Sequence, residues 1–179
     1  MIQMHYQIAI KFAGEKHKDQ LVPGANANYL LHLSNVAMEV MIAHQQESNF
    51  DLSIAVQLAL LHDTVEDTDT TSEEIMNSFG RKIAEGVAAL SKNPALKTKA
   101  EKMDDSLRRI LDAYPEVRLV KMADRITNLQ EPPHYWTKEK IKQYTAEAQK
   151  IFDQLSGINT YLDQRLQQQI EAYKTYWKE

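Results

Sequence analysis

Residues 58–68 read Leu-Ala-Leu-Leu-His-Asp-Thr-Val-Glu-Asp-Thr, an aliphatic helical run that ends in a cluster of polar side chains. The run is apolar on every side, which predicts a central helix that its neighbours bury. The carboxylates at its end, including Asp63, Glu66 and Asp67, meet the negative end of the helix dipole at roughly 0.3–1 kcal/mol each. This unfavourable placement predicts a cation, such as a divalent metal, beside the His62-Asp63 pair.

The alternative interpretation of this pair is a histidine that caps the helix beside a solvated aspartate. The rest of the chain must distinguish this helix cap from a metal site. The sequence contains no cysteine, which excludes disulfides, thiolate metal sites and a cysteine nucleophile. Any metal must therefore be bound by His, Asp or Glu, a donor set that favours hard or borderline cations.

The composition indicates a globular protein, and its 179 residues predict one domain over residues 1–179. Hydrophobic residues make up 43% and charged residues 26%, an ordinary balance. A net charge of −4 provides no basic field, so no nucleic-acid partner is expected. No stretch approaches the ~20 apolar residues of a membrane span, and the N-terminus does not resemble a signal peptide. We therefore expect a cytoplasmic protein with no membrane partner, while the sequence leaves the oligomeric state open.

Hydrophobic residues recur at the helical period along almost the whole chain, which contains only 5 glycines and 5 prolines. This pattern predicts an all-α fold, a single helical bundle. The expected helices cover roughly residues 2–20, 28–46, 51–64, 72–79, 81–91, 103–113 and 115–129, followed by two amphipathic helices around Gly157. A capping box at Thr71 and Glu74 is expected to begin the fourth helix. The second helix is expected to bury Tyr29, Leu33, Val36, Val40 and Met41.

Three separate helices each present a potential metal ligand from an apolar face. His32 lies among leucines, His62-Asp63 ends the central helix, and Asp124 lies within residues 120–125. Each has an ordinary explanation when taken alone, His32 as a core histidine and Asp124 as a surface ion-pair partner. Together, two imidazoles and two carboxylates form a four-ligand site with open coordination positions, which is typical of a catalytic metal.

Glu66 follows His62 by four residues and Asp63 by three. On a continuing helix this spacing places all three side chains on one face. A carboxylate in that position is suited to accept a proton from water or to position the water.

These motifs resemble those of the HD-domain metal phosphohydrolases, whose H…HD…D order is reproduced by His32, His62-Asp63 and Asp124. Residues 62–68 and 120–129 are similar to the hydrolase domain of RelA/SpoT homologues. The C-terminal part resembles the stand-alone small alarmone hydrolases of the metazoan SpoT homologue type.

The resemblance implies an all-helical enzyme that binds Mn²⁺ and removes the 3′-pyrophosphate from guanosine tetra- and pentaphosphate, a small-molecule nucleotide substrate. His32, His62, Asp63 and Asp124 would be the metal ligands, and Glu66 and Asp67 the catalytic pair that activates and orients the attacking water. The positions at which relatives contact nucleotide or phosphate correspond to Asn128, Lys140 and Tyr144.

One motif departs from the family pattern His-x-x-Gln-x-Arg-Lys. His17 and Gln20 are kept, but Val22 and Pro23 stand at the Arg-Lys positions. The charge that holds a pyrophosphate must then come from elsewhere, and the candidates are Lys92, Lys97 and Lys140. Four lysines lie in or beside the polar stretch at 92–102, which is compatible with a phosphate-facing role and equally with a solvated loop: Lys92, Lys97, Lys99 and Lys102.

Two other functions are compatible with the sequence. One is hydrolysis of another phosphorylated nucleotide, such as the 2′-phosphate of NADPH. The other is a non-catalytic nucleotide-binding module. The intact Glu66-Asp67 pair argues against the module, because a domain released from catalysis has no physical need for carboxylates at an unfavourable helix end.

Overall fold

Ten α-helices account for most of residues 1–178, which the computed structural model describes, and none of these residues forms a β-strand. The helices are α1 (Ile2–Lys16), α2 (Leu30–Gln46), α3 (Leu52–Leu61), α4 (Thr64–Asp67), α5 (Ser72–Phe79), α6 (Arg81–Leu90), α7 (Lys99–Asp112), α8 (Pro115–Asn128), α9 (Lys138–Leu155) and α10 (Thr160–Tyr173), followed by a 3₁₀ turn, Lys174–Tyr176. The predicted all-α fold is confirmed.

Helix α3 lies at the centre of the bundle and packs against α1, α2, α6 and α8. Its side chains Leu58, Leu60 and Leu61 are fully buried, as expected for a helix that is apolar on every side. Helix α6 approaches α3 closely at Gly86, where an added Cβ would come within 2.6 Å of Leu58. Close packing on all sides holds the C-terminal end of α3, and the polar residues after it, in a fixed place.

The chain bends at this end, where the sequence predicted a helix continuing to residue 64. Helix α3 ends at Leu61, and α4 is a separate single turn. Side chains donate hydrogen bonds to the backbone carbonyls at the end of α3. Thr64 Oγ1 donates to Leu61 O at 2.7 Å, and His62 Nδ1 donates to Ala59 O at 2.9 Å. The bend therefore carries His62 and Asp63 between α3 and α4.

Two other helix ends also differ from expectation. Helix α1 ends at Lys16 rather than near residue 20, and the following loop is closed by an isolated bridge between Leu21 and Asn28. Helix α7 begins four residues earlier than predicted, because Thr98 and Glu101 form a reciprocal capping box. At the start of α5, the side chain of Thr71 accepts from the backbone N–H of Glu74, which is half of the box predicted there.

The buried face of α2 agrees with prediction at Leu33, Val36 and Val40, which are fully buried. Met41 was wrongly assigned to this face, since 40% of it is exposed. Helix α2 turns this residue away from the core. Within residues 1–178, no helix combines the length and the apolar character needed to span a bilayer.

Candidate metal centre and its cleft

Three helical segments bring the four predicted metal ligands together. His32 lies in the first turn of α2, His62 and Asp63 lie at the bend between α3 and α4, and Asp124 lies within α8. His32, His62 and Asp124 are each at most 6% exposed. Donor atoms of these three residues lie within 4.8 Å of one another, a cluster suited to a divalent metal.

The distances between donor atoms test whether one cation fits among them. His62 Nε2 lies 3.0 Å from Asp63 Oδ2, 3.4 Å from His32 Nε2 and 3.7 Å from Asp124 Oδ1. His32 Nε2 lies 3.6 Å from Asp63 Oδ2 and 3.4 Å from Asp124 Oδ1. Two ligand atoms that each lie about 2.1 Å from a shared cation are ~3.0–3.4 Å apart at octahedral to tetrahedral angles. Five of the six pairs among the four donors therefore have nearly the spacing of ligands around one ion, and Asp63 joins the cluster through its distances to the two histidines.

Hydrogen bonds orient these donors toward the common centre. Because His62 Nδ1 donates to a backbone carbonyl, its Nε2 is left to face the cluster. Asp63 Oδ2 accepts from the hydroxyl of Tyr29 at 2.6 Å. Asp124 accepts from Asn128 Nδ2 at 2.6 Å and from Lys121 Nζ at 2.9 Å. These partners resemble the outer hydrogen bonds that orient ligands in metal sites.

The electrostatics of the cluster favour positive charge at its centre. Burial opposes protonation of His62, but the carboxylates of Asp63 and Asp124 raise its pKa to about 10. Burial likewise opposes ionisation of both aspartates, yet His62 lowers the pKa of Asp63, and Lys121 and the histidines lower that of Asp124. A divalent cation would replace the His62 proton as the counter-charge for these carboxylates.

The predicted catalytic pair lies beside the cluster, on the single turn α4. Both oxygens of Glu66 are engaged by Lys92, whose backbone N–H donates to Oε2 at 2.9 Å while its ammonium contacts Oε1. Burial opposes the charge of Lys92, but the bond to Glu66 raises its pKa. Asp67 Oδ2 accepts from Gln20 Nε2 at 2.9 Å. Partial burial raises the pKa of Asp67, and the nearby charges of Asp63 and Glu66 add to this shift.

These acidic residues form one wall of a cleft of about 540 Å³. Four of the predicted substrate-binding residues line the same cleft, namely Lys92, Asn128, Lys140 and Tyr144. Lys97, the fifth, does not line it. Four further basic residues line the cleft, none of which the sequence assigned to substrate binding: Lys99 and Lys102 of the lysine-rich stretch, and Lys121 and Arg125.

The sequence contained signals for some of these missed residues. The capping box at Thr98 and Glu101 places Lys99 and Lys102 in the first turn of α7, one helical turn apart on one face. Lys121 and Arg125 flank the candidate ligand Asp124 on α8, a spacing that is equally typical of a surface ion pair.

Aromatic rings cover part of the basic wall. Lys140 Nζ lies 4.0 Å from the centroid of the Trp136 ring, and the guanidinium of Arg125 lies 4.2 Å from that of Tyr144. Both distances are typical of cation–π contacts. The cleft therefore combines acidic, basic and aromatic surfaces.

A second cavity of about 480 Å³ adjoins the cleft, and both are lined by Asn128, Trp136 and Tyr144. Val22 and Pro23, the residues that depart from the family pattern, line this second cavity together with His32. The departure therefore lies beside the candidate metal centre. It makes that side of the second cavity apolar.

Comparison with known proteins supports a relationship over nearly the whole chain. The family model described as HD domain matches residues 9–158. A guanosine-3′,5′-bis(diphosphate) 3′-pyrophosphohydrolase named MESH1 from Danio rerio is 33% identical over 164 residues, which are 89% of this chain and 88% of the relative. A guanosine-3′,5′-bis(diphosphate) 3′-pyrophosphohydrolase of Aquifex aeolicus is 35% identical over 154 residues, which are 84% of this chain and 21% of that longer protein.

Solved structures show the same arrangement of helices. A structure described as a metazoan ortholog of SpoT that hydrolyzes ppGpp matches with a TM-score of 0.81 and 26% identity, covering 94% of each chain. The structure of lmo0812 from Listeria monocytogenes matches with a TM-score of 0.66 at 22% identity, a likeness of fold alone, covering 86% of this chain and 99% of that chain. The family predicted from the H…HD…D order is thus confirmed, and this chain belongs to the HD domain family.

Proposed function

We propose that this protein is a metal-dependent phosphohydrolase that removes the 3′-pyrophosphate from guanosine tetra- and pentaphosphate, with GDP or GTP and pyrophosphate as products. One observation carries the proposal: Asp63, Asp124, the carboxylate pair and several lysines line one cleft, and His32 and His62 lie within 3.7 Å of those two aspartates. The activity in the names of the relatives from Danio rerio and Aquifex aeolicus supports the choice of substrate.

His32, His62, Asp63 and Asp124 would hold one divalent cation, and we propose Mn²⁺. Two imidazoles with two carboxylates form a mixed donor set that a borderline ion accepts, and the chain has no thiolate. When bound, such an ion supplies positive charge that promotes ionisation of water and offsets the charge of the phosphates.

Glu66 accepts the proton of the attacking water in this proposal. Lys92 holds its carboxylate from both oxygens, so the group faces the cleft in one orientation. Asp67, the next residue on α4, orients the water by accepting its second hydrogen. The water oxygen bonds to the phosphorus next to the 3′ oxygen, and the bond between that phosphorus and the 3′ oxygen breaks. The 3′ oxygen leaves with the bonding electron pair and becomes a hydroxyl by taking up the proton that Glu66 accepted.

The basic wall binds the phosphates that do not react. Lys99, Lys102 and Lys140 line the same cleft as the acidic residues, and none of them has an ion-pair partner among residues 1–178. An ammonium group binds phosphate as a point charge. Asn128 and Tyr144 lie between the cleft and the second cavity, where they can contact the nucleoside.

A related substrate remains a second candidate because of the second cavity. Val22 and Pro23 offer a base only apolar contact, so another phosphorylated nucleotide, such as the 2′-phosphate of NADPH, is also suited to the site. We propose that the enzyme acts in the cytoplasm on either substrate.

A substrate panel tests the proposal. Manganese-loaded protein is incubated with guanosine tetraphosphate, guanosine pentaphosphate, the adenosine analogue and NADPH, and the products are identified by ion-exchange chromatography. We expect GDP and pyrophosphate from guanosine tetraphosphate. Release of phosphate from NADPH alone would favour the second candidate, and no turnover of any nucleotide would favour a non-catalytic binding module.

A further inference from the structure

The retained pair His17 and Gln20 reaches the acidic wall of the cleft, a contact that the sequence does not predict. Gln20 Nε2 donates to Asp67 Oδ2 at 2.9 Å, and Gln20 Oε1 lies 2.6 Å from His17 Nδ1. The three side chains form a chain of hydrogen bonds that ends at one carboxylate of the catalytic pair. Gln20 and Asp67 are 47 residues apart, so only the folded structure joins them.

The carboxylate of Asp67 fixes which group donates and which accepts in each of these hydrogen bonds. An ionised carboxylate only accepts, so the amide nitrogen of Gln20 must face Asp67 and its carbonyl oxygen must face His17. His17 Nδ1 must then carry a proton and donate it to Gln20. A single orientation of the amide satisfies both neighbours.

His17 is itself held firmly. It is 1% exposed, and its ring stacks on Tyr29 with centroids 5.0 Å apart and an angle of 29° between planes. Its backbone carbonyl accepts from Asn28 Nδ2 at 3.2 Å, and the backbone carbonyl of Gln20 accepts from Tyr29 N at 2.9 Å. Because a buried ring on a closed loop has little freedom, His17 is a rigid support for the Gln20 amide.

We propose that Gln20, supported by His17, is the positioning residue for Asp67. Glu66 is held by Lys92, whereas Asp67 lies at the end of a single helical turn and its carboxylate accepts a hydrogen bond from Gln20. Without that bond its carboxylate would sample several rotamers, each of which orients a water molecule differently. The inference rests on the proposed function, in which Asp67 orients the attacking water.

Kinetics on guanosine tetraphosphate test the positioning role. Gln20→Leu removes the amide at similar volume, and we expect kcat to fall roughly 10- to 100-fold, as misplacement of a catalytic group does. KM should change little, because ground-state binding is retained. The double variant Gln20→Leu/Asp67→Asn should be no slower than Asp67→Asn alone, which shows that Gln20 acts through Asp67.

Gln149→Leu is the matched control, because Gln149 donates to Asp153 at 2.9 Å on α9, away from the cleft. It should have the kinetics of the parent. His17→Phe keeps the ring stack but loses the donor, and its kcat should fall in the same direction as that of Gln20→Leu. Melting temperatures of all variants separate loss of positioning from loss of fold.

A spectroscopic measurement decides the inference independently of turnover. In ¹⁵N-labelled protein loaded with diamagnetic Mg²⁺, the side-chain amide protons of Gln20 should be shifted from those of a free glutamine. Asp67→Ala removes the acceptor and should abolish this shift, whereas Glu73→Gln, at an exposed position of α5, should leave it unchanged.

The kinetics distinguish failure of the positioning role of Gln20 from failure of the proposed role of Asp67. An inactive Asp67→Asn together with a fully active Gln20→Leu overturns the positioning role alone. A fully active Asp67→Asn overturns the role of Asp67 in the proposed function, and with it the positioning role. Free-glutamine shifts for Gln20 in the parent overturn the inference whatever the activity.

Discussion

The two walls of the cleft are built differently. Behind the acidic wall, the candidate ligands His32, His62 and Asp124 are nearly buried among the core helices, and the carboxylate of Asp124 has two hydrogen-bond donors. On the basic wall, Lys99 and Lys140 are exposed at helix starts, and their charges face the cleft without an ion-pair partner among residues 1–178. Packing therefore defines the acidic wall before any ligand binds, whereas the basic wall acquires its partners from an anion.

This difference predicts unequal responses to substitution. Loss of a group from the acidic wall removes part of an organised centre, so metal content or turnover should collapse. Loss of one lysine from the basic wall removes one of several similar charges, so the effect should be graded and confined to binding.

The largest effect is expected for Asp63→Ala. Loss of one of four ligands should weaken metal affinity by more than the roughly 10–100-fold that is typical of losing an outer hydrogen-bond partner. Activity should be lost with the metal, while circular dichroism stays that of the parent. Elemental analysis after desalting measures the metal, and Asp69→Ala is the control, since exposed Asp69 pairs with Lys16 away from the cluster. Full metal content in Asp63→Ala would refute the assignment of this ligand.

Glu66→Gln should be next in size. The amide is nearly isosteric but cannot take a proton, and general base catalysis contributes typically ~10²–10⁴-fold in rate. We expect kcat to fall by that factor while metal content and KM are retained. Steady-state kinetics with Glu73→Gln as the control measure the change. Unchanged turnover would mean that Glu66 is only a solvated acid at a helix end.

Lys140→Ala should have a smaller effect, mainly on binding. A contact between an ammonium and a phosphate contributes about 1.5–3 kcal/mol, so KM should rise roughly tenfold or more while kcat changes less. Lys97→Ala is the matched control, because Lys97 does not line the cleft. If the two variants behave alike, the basic wall is not the phosphate site.

The smallest effect concerns base selectivity. Val22 and Pro23 offer only apolar contact, and discrimination by apolar shape amounts to ~1–3 kcal/mol. The double substitution Val22→Arg/Pro23→Lys should widen the ratio of kcat/KM for guanosine over adenosine tetraphosphate, because Arg stacks on a purine and reads its acceptors.

Asn26→Lys adds charge to the same loop outside the lining of the second cavity and should leave that ratio unchanged. A parent enzyme that already rejects adenosine strongly, and is unaffected by the double substitution, would mean that base recognition lies elsewhere.

The sequence was most informative where function interrupts a regular pattern. His32 and Asp124 are polar residues within apolar helical faces, and the run at 58–61 predicted the buried helix that ends at His62. Helical periodicity shows which residues a helix buries, so a polar residue among them is visible without a structure. The helical fold and the candidate ligands were predicted for this reason.

Helix ends were predicted less well, because side-chain hydrogen bonds decide them. The bend after Leu61 depends on hydrogen bonds from the side chains of His62 and Thr64 to backbone carbonyls. The early start of α7 depends on the capping box that Thr98 forms with Glu101. Each of these bonds competes with continuation of the helix, and periodicity does not show which arrangement is favoured.

The sequence by itself predicted an all-α bundle, the H…HD…D set of candidate donors and the carboxylate pair that follows the central helix, because these depend on local periodicity and residue type. Only the tertiary structure decided that Lys99 and Lys102 line the cleft and Lys97 does not, and that Gln20 donates to Asp67. Such contacts join residues far apart in sequence. Local patterns predict which face of a helix is buried, but the packing of the whole bundle determines which side chain that face meets.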